Sequence, residues 1–184
     1  MKKAYIFLAD GFEVIEALAP YDVFCRAGFD VKTVSISNKK QVAASNKIKV
    51  EADFLISEVK DFDQADLLYL PGGYPGYENL GNDPKVGELA KKHYESGKIL
   101  AAICGAPTVL LKNGIGFGKN VTSHSCCKDE MSTKYNYTGN FITRDGNLLT
   151  CIGAGHSVDF AICLAEILGG EAAVTKVKKG MELK

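Results

Sequence analysis

Ile99-Leu100-Ala101-Ala102-Ile103-Cys104-Gly105-Ala106-Pro107 is the stretch on which the fold turns. Five apolar residues without polar alternation predict a strand buried on both faces, as in a parallel sheet covered by helices. The run stops at Cys104-Gly105, and a helix is predicted over Thr108 to Lys112, ahead of Asn113-Gly114. Working outward, Leu67 to Leu70 is a second run of this kind and ends in Pro71-Gly72-Gly73. Lys3 to Leu8 is a third, bounded by Asp10-Gly11. Asp30 to Ile36 alternates as a fourth strand, and Lys39 to Lys49 suggests a hairpin at the sheet edge. Between these lie helical patterns. Glu13 to Ala27 carries Val14, Ala17, Leu18, Tyr21 and Cys25 at a helical period, with Gly28 as stop and Pro20 predicting a kink or two pieces. Asp83-Pro84 opens another helix, to about Ser96. Phe141 to Cys151 reads as a hairpin around Asp145-Gly146, and Ser157 as the N-cap of a helix over Val158 to Leu168, closed by Gly169-Gly170. Alternating strands and helices make an α/β chain with a mostly parallel sheet, and residues 1–184 fit one domain.

Composition narrows the function classes. With 46% hydrophobic residues the chain can fill a core, which excludes disorder. The 22 Lys and Arg balance 22 Asp and Glu, so no net field recruits nucleic acid or an anionic membrane. No apolar run approaches the ~20 residues of a membrane span. The stretch after Met1-Lys2-Lys3 ends at Asp10, too short for a signal peptide, so a soluble cytoplasmic protein is expected. Of six cysteines none forms a CxxC pair, and in that compartment they are expected to be reduced. Cys25, Cys151 and Cys163 are expected as core filler. No metal is expected: adjacent Cys126 and Cys127 do not aim easily at one ion, and His124 beside them completes no zinc spacing. Gly114, Gly116 and Gly118 follow a helix rather than a strand, which argues against a dinucleotide loop.

Cys104 is the candidate for the chemistry, although a buried cysteine that merely ends a strand would read the same way. A residue between a buried strand and the following helix is thrust out at the sheet's carboxyl edge, where open α/β sheets bind ligands. The layout is that of a nucleophile elbow, in which the N–H after the nucleophile helps form an oxyanion hole. The partial positive charge of a helix N-terminus there is expected to favour thiolate. Pro71-Gly72-Gly73 follows another strand and brings backbone N–H groups to the same edge, although an ordinary strand-ending turn reads the same way. Glu13 and Glu16 follow Gly11 on the first strand-to-helix connection. A carboxyl buried there over the thiol would stay protonated; on a solvated helix face it would be a plain surface charge.

Ala9-Asp10-Gly11-Phe12-Glu13-Val14-Ile15-Glu16, then Leu70-Pro71-Gly72-Gly73, then Ala101-Ala102-Ile103-Cys104-Gly105-Ala106-Pro107 resembles the ThiJ/PfpI superfamily. The likeness is closest to the branch of the Parkinson-associated protein deglycase and its bacterial relative YajL. Gly114-Ile115-Gly116-Phe117-Gly118, Val121-Thr122-Ser123-His124 and Asp145-Gly146-Asn147-Leu148-Leu149-Thr150 extend it along nearly the whole chain. The resemblance implies a flavodoxin-like three-layer sandwich, a homodimer, Cys104 as nucleophile and Glu16 as the carboxyl on its sulfur. It also implies that the N–H groups of Gly73 and Gly105 line the sulfur or oxyanion site. It makes His124 a catalytic partner or a structural histidine, and puts Arg26 and Gly72 near the pocket.

The sequence departs from the family's pattern in several places. Gly105 stands where protease-like members carry histidine, which removes the base a peptidase needs. Asn46 replaces an edge-hairpin arginine, Ser125 a frequent proline and His156 a small hydroxyl residue, while Cys126-Cys127 has no counterpart. Two functions compete. One is a cofactor-independent glyoxalase or deglycase acting on an α-oxoaldehyde or its early adducts through Cys104. The other is a redox-sensing stress protein or chaperone switched by oxidation of Cys104 to sulfinate.

Overall fold

A computed structural model describes all 184 residues. In chain order the elements are β1 (Lys3–Leu8), α1 (Val14–Ala27), β2 (Asp30–Ser35), β3 (Gln41–Ala43), β4 (Lys49–Glu51), β5 (Phe54–Leu55) and β6 (Leu67–Leu70). Then come α2 (Gly76–Asn82), α3 (Pro84–Glu95), β7 (Ile99–Ile103), α4 (Pro107–Lys112), β8 (Asn120–Val121), α5 (Lys128–Met131) and β9 (Asn136–Tyr137). The chain finishes with β10 (Ile142–Asp145), β11 (Leu148–Cys151) and α6 (Ser157–Gly180).

Seven strands form the central sheet in the order β10-β11-β7-β6-β1-β2-β5, and only β10 runs antiparallel to its neighbour. From β1 the chain winds outward one way to β2 and β5, then crosses to β6 and builds the other way through β7. The order therefore reverses between β1 and β6, which opens a crevice at the carboxyl ends of those strands.

The pleat sorts the core into two layers. Ile6 and Leu8 join Phe24 and Phe160 on the face covered by α1 and α6. Tyr5 and Phe7 join Leu80, Val86, Val109 and Leu110 on the face covered by α2, α3 and α4. Burial on both faces is why β1, β6 and β7 read as uninterrupted apolar runs. The expected three-layer architecture is the one observed.

Several local expectations are corrected. α1 runs unbroken through Pro20. The hairpin between residues 39 and 49 becomes β3 and β4, a separate two-stranded sheet joined to the β1 exit loop by a Phe12–Ala44 bridge, while β5 forms the edge of the main sheet. Ser157 is the first residue of α6 rather than its cap, and helix resumes after a break at Gly170, where φ is 69° and ψ −169°. α2 has no signal in the sequence, because Gly76, Asn79, Gly81 and Asn82 are weak helix formers. Cys25 is exposed, whereas Cys151 is buried and Cys163 half-buried.

Candidate active site

Three loops meet at the carboxyl edge: 9–13 after β1, 71–76 after β6 and 104–106 after β7. Cys104 has φ of +62°, a left-handed conformation that costs a residue with a Cβ roughly 1–2 kcal/mol. Two backbone bonds hold it there: its N–H donates to Cys151 O at 2.9 Å, and its carbonyl accepts from His124 N–H at 2.8 Å. Strain maintained by surrounding bonds is typical of functional positions, and it turns this half-buried side chain into the crevice.

Glu16, in the first turn of α1, is fully buried. The stripe of α1 that packs inward is Glu16, Ala17, Pro20, Val23, Phe24 and Ala27. This face is rotated from the apolar pattern read in the sequence, and the rotation carries the carboxyl under the loops. Glu13 fixes the start of the helix by accepting from the Glu16 N–H at 2.8 Å. Glu16 Oε2 accepts from the Gly72 N–H at 2.9 Å, while Oε1 is buried without a partner. Gly72 is wedged between the acid and the thiol: a Cβ there would lie 2.6 Å from Glu16 Oε2 and 2.7 Å from Cys104 Cβ.

Burial first, and then the nearby charge of Glu13, pushes the Glu16 carboxyl up to about 7. The nearness of Cys104 and of the N–H groups of Gly72 and Ala154 opposes that rise. Burial likewise pushes the Cys104 thiol up to about 12, reinforced by the charge and the nearness of the Glu16 carboxyl. The N–H groups of Gly105 and Gly73 pull the other way, towards thiolate. Two buried acids in contact share a single negative charge, so ionisation belongs to the pair. Protonating Glu16 removes the repulsion that opposes the thiolate. This corrects the expectation of a thiol ionised by a helix N-terminus, because α4 has only six residues and begins three positions later. The stabilising groups are instead two fixed amides and a carboxyl able to take the proton.

Tyr74, Tyr77, His124 and Cys126 wall an open cleft of about 320 Å³ whose floor is Gly73, Cys104 and Gly105. The Tyr77 ring lies so close over Gly105 that a Cβ at that position would collide with it. The structure thus brings together Glu16, Gly72, Gly73, Cys104, Gly105 and His124. His124 bonds elsewhere than to Cys104 sulfur, however: its Nδ1 lies 3.0 Å from Cys126 Sγ and accepts from the Cys126 N–H at 3.3 Å.

Arg26 does not belong to the site. It sits ten residues beyond Glu16, about 15 Å along the helix, with its guanidinium on Asp22 at 2.8 Å and on the Gly180 carbonyl at 2.7 Å. Tyr74, Tyr77 and Cys126 were missed in the sequence. The two tyrosines flank Pro75-Gly76 directly after the glycine turn, and that spacing was the available signal.

The profile of the DJ-1/PfpI family matches residues 2–167. The chain belongs to the DJ-1/PfpI family. Parkinson disease protein 7 homolog of Danio rerio is 35% identical over 185 residues, covering 100% of this chain and 98% of the relative. Glutathione-independent glyoxalase DJR-1.2 of Caenorhabditis elegans is 32% identical over 180 residues, or 97% of this chain and 95% of the relative. The crystal structure of DJ-1beta from Drosophila melanogaster matches with a TM-score of 0.95 and 35% identity, over 100% of this chain and 98% of that one. Within this DJ-1/PfpI frame, β1, β6 and β7 supply the site, and no helix is long and apolar enough to cross a membrane.

Proposed function

We propose that the chain is a cysteine-dependent, cofactor-independent glyoxalase or deglycase acting on α-oxoaldehydes or their early adducts. The observation that carries this reading is the convergence of Cys104 and the buried Glu16 carboxyl on the two sides of Gly72, a Cβ on which would lie 2.6 Å from Glu16 Oε2 and 2.7 Å from Cys104 Cβ. Cys104 adds to the aldehyde carbon as its proton passes to Glu16, and the Gly73 and Gly105 amides receive the developing oxyanion. Glu16 hands that proton on to the oxyanion, and its carboxylate then takes the proton of the former aldehyde carbon and returns it to the neighbouring carbonyl carbon through an enediolate. The resulting thioester is hydrolysed by one water. For methylglyoxal, substrate plus water gives lactate and the thiol is regenerated, so no redox partner is consumed. The name of the C. elegans relative supports the same class.

A small carbonyl compound or glycated adduct is thus the partner we assign, together with a second copy of the chain as homodimer and a cytoplasmic setting that keeps the thiols reduced. Lactate formation from methylglyoxal tests the reading. Cys104→Ala is expected to lower it at least about a thousandfold, as nucleophile removal does elsewhere, and a variant with wild-type turnover would overturn the assignment.

One observation favours a redox role for the same thiol. Glu16 Oε1 is buried without a partner, and an oxygen added to Cys104, across Gly72 from this carboxyl, would supply one. Mass spectrometry after mild peroxide checks this: Cys104 is expected to gain two oxygens before the other five cysteines do.

A further inference from the structure

His124, Cys126 and Cys127 form a line of hydrogen-bonding groups at the wall of the cleft. Cys127 is buried, with Sγ 3.6 Å from Cys126 Sγ. Burial, then the hydrogen bond with Cys126, pushes its thiol up to about 12, so it is protonated and able to donate to the Cys126 sulfur. Cys126 Sγ in turn lies 3.0 Å from His124 Nδ1. The same nitrogen takes the Cys126 backbone N–H at 3.3 Å.

That second bond is long, so it and the shorter sulfur contact together set the tautomer of the ring. A backbone N–H can only donate, so Nδ1 carries a lone pair and no hydrogen. The neutral ring therefore keeps its proton on Nε2. Both contacts share the one Nδ1 lone pair within the residue's own turn, which leaves Nε2–H as the remaining polar group of a ring that lines the cleft.

We propose that Cys126 is a positioning residue for the chemistry at Cys104: its thiol, acting with its long backbone N–H contact, holds His124 in the Nε2–H form, so that the ring donates to the second oxygen of a bound dicarbonyl substrate. This rests on the carbonyl chemistry proposed above. A donor to that oxygen strengthens as the enediolate develops, so its loss acts on kcat more than on KM. Cys126 is exposed, so the fold does not depend on its side chain.

The test pairs kinetics on methylglyoxal with nitrogen-15 NMR of the His124 ring, assigned by comparison with His124→Gln. Cys126→Ala is expected to lower kcat about fivefold, the worth of one neutral hydrogen bond, with KM within about twofold. It should also let the Nδ1–H tautomer appear. Cys126→Ser, which restores an O–H donor, is expected to recover both kcat and the Nε2–H tautomer. A wild-type ring that is imidazolium or Nδ1–H at neutral pH overturns the proposal. So does Cys126→Ala with wild-type kcat and tautomer, or Cys126→Ser behaving as Cys126→Ala. If the wild-type protein forms no Cys104-dependent lactate, the functional reading falls, and the tautomers of the three proteins still decide the role of Cys126.

Discussion

At the amino ends of β1, β6 and β7 the polar groups are paired, whereas at the carboxyl ends of the same strands several are not. Asp61 accepts from the Tyr5 hydroxyl at 2.7 Å and holds the Lys3 ammonium; Asp66 takes the Lys3 N–H at 2.9 Å and Lys2 Nζ at 3.1 Å. Buried His93 meets the Ile99 carbonyl at 3.0 Å. Across the sheet, Glu16 Oε1, the Tyr69 hydroxyl and Ser157 Oγ are buried without partners, and Cys104 is held at positive φ. Three strands thus end in bonds that stabilise them and in groups that cost stability and can react. Unsatisfied polar atoms and backbone strain belong where a site is organised for chemistry rather than for folding. Substitutions at the two ends should therefore separate activity from stability.

The largest separation is expected at Cys104. Cys104→Gly removes the nucleophile, with the same thousandfold or greater loss of lactate formation as Cys104→Ala, yet it relieves the left-handed strain. Its unfolding free energy from urea titration is expected to exceed that of Cys104→Ala by about 1 kcal/mol. Equal stabilities would mean that the elbow is unstrained. Gly72→Ala comes next. Its Cβ has no space between Glu16 Oε2 and Cys104 Cβ, so the acid and thiol must part. A displacement of about 1 Å in reacting groups costs ~100-fold in rate, measured here as kcat on methylglyoxal.

Glu16→Gln sharpens the contrast through pH. Glu16 moves from an ordinary 4.5 to about 7 on folding, so between those values the folded chain binds more protons than the unfolded one. Stability from that proton is complete below pH 4.5 and is lost as pH rises to about 7. A tenfold change in proton affinity is worth ~1.4 kcal/mol, which makes the loss about 3 kcal/mol for a group this deeply buried. His93, pushed down to about 4 by burial, contributes the opposite slope over much of this window. The difference between wild type and Glu16→Gln cancels His93. Urea titrations across the window should show the wild type losing stability relative to the variant as pH rises; parallel curves would place the carboxyl in water.

How much of this was legible depended on whether the cause was local. β1, β6 and β7 showed as apolar runs because burial on both faces permits no polar residue, and Cys104-Gly105 marked the elbow by ending one of them. The β10–β11 hairpin announced itself through Asp145-Gly146. The helix of Glu16 was legible but its buried face was not. Val14, Leu18, Tyr21 and Cys25 trace one stripe, while the loops after β1 and β6 turn the helix so that Glu16 and Pro20 face inward. That rotation comes from tertiary packing, which periodicity does not encode. Arg26 was misplaced for a related reason: closeness in sequence to Glu16 along a rigid helix still means about 15 Å in space. The pairing of His124 with Cys126 needed coordinates, because a short 3₁₀ turn decides which nitrogen meets which sulfur.

The smallest effect is expected at the opposite end. Asp61→Asn keeps the shape and an acceptor for the Tyr5 hydroxyl, and removes the charge that holds the Lys3 ammonium. That pair is partly exposed, with side chains 20% and 35% accessible, so solvent screens most of its Coulomb energy. The loss of unfolding free energy is therefore expected at about 0.5–1 kcal/mol, and it should shrink as salt is added. Turnover should stay at the wild-type rate, because the substitution lies at the amino end of β1 and the thiol stands at the carboxyl edge of β7. A several-fold fall in kcat without a matching loss of stability would show that the two ends of the sheet are coupled. In that case the paired groups at the amino end would take part in setting the geometry at Cys104, and the division between them would fail.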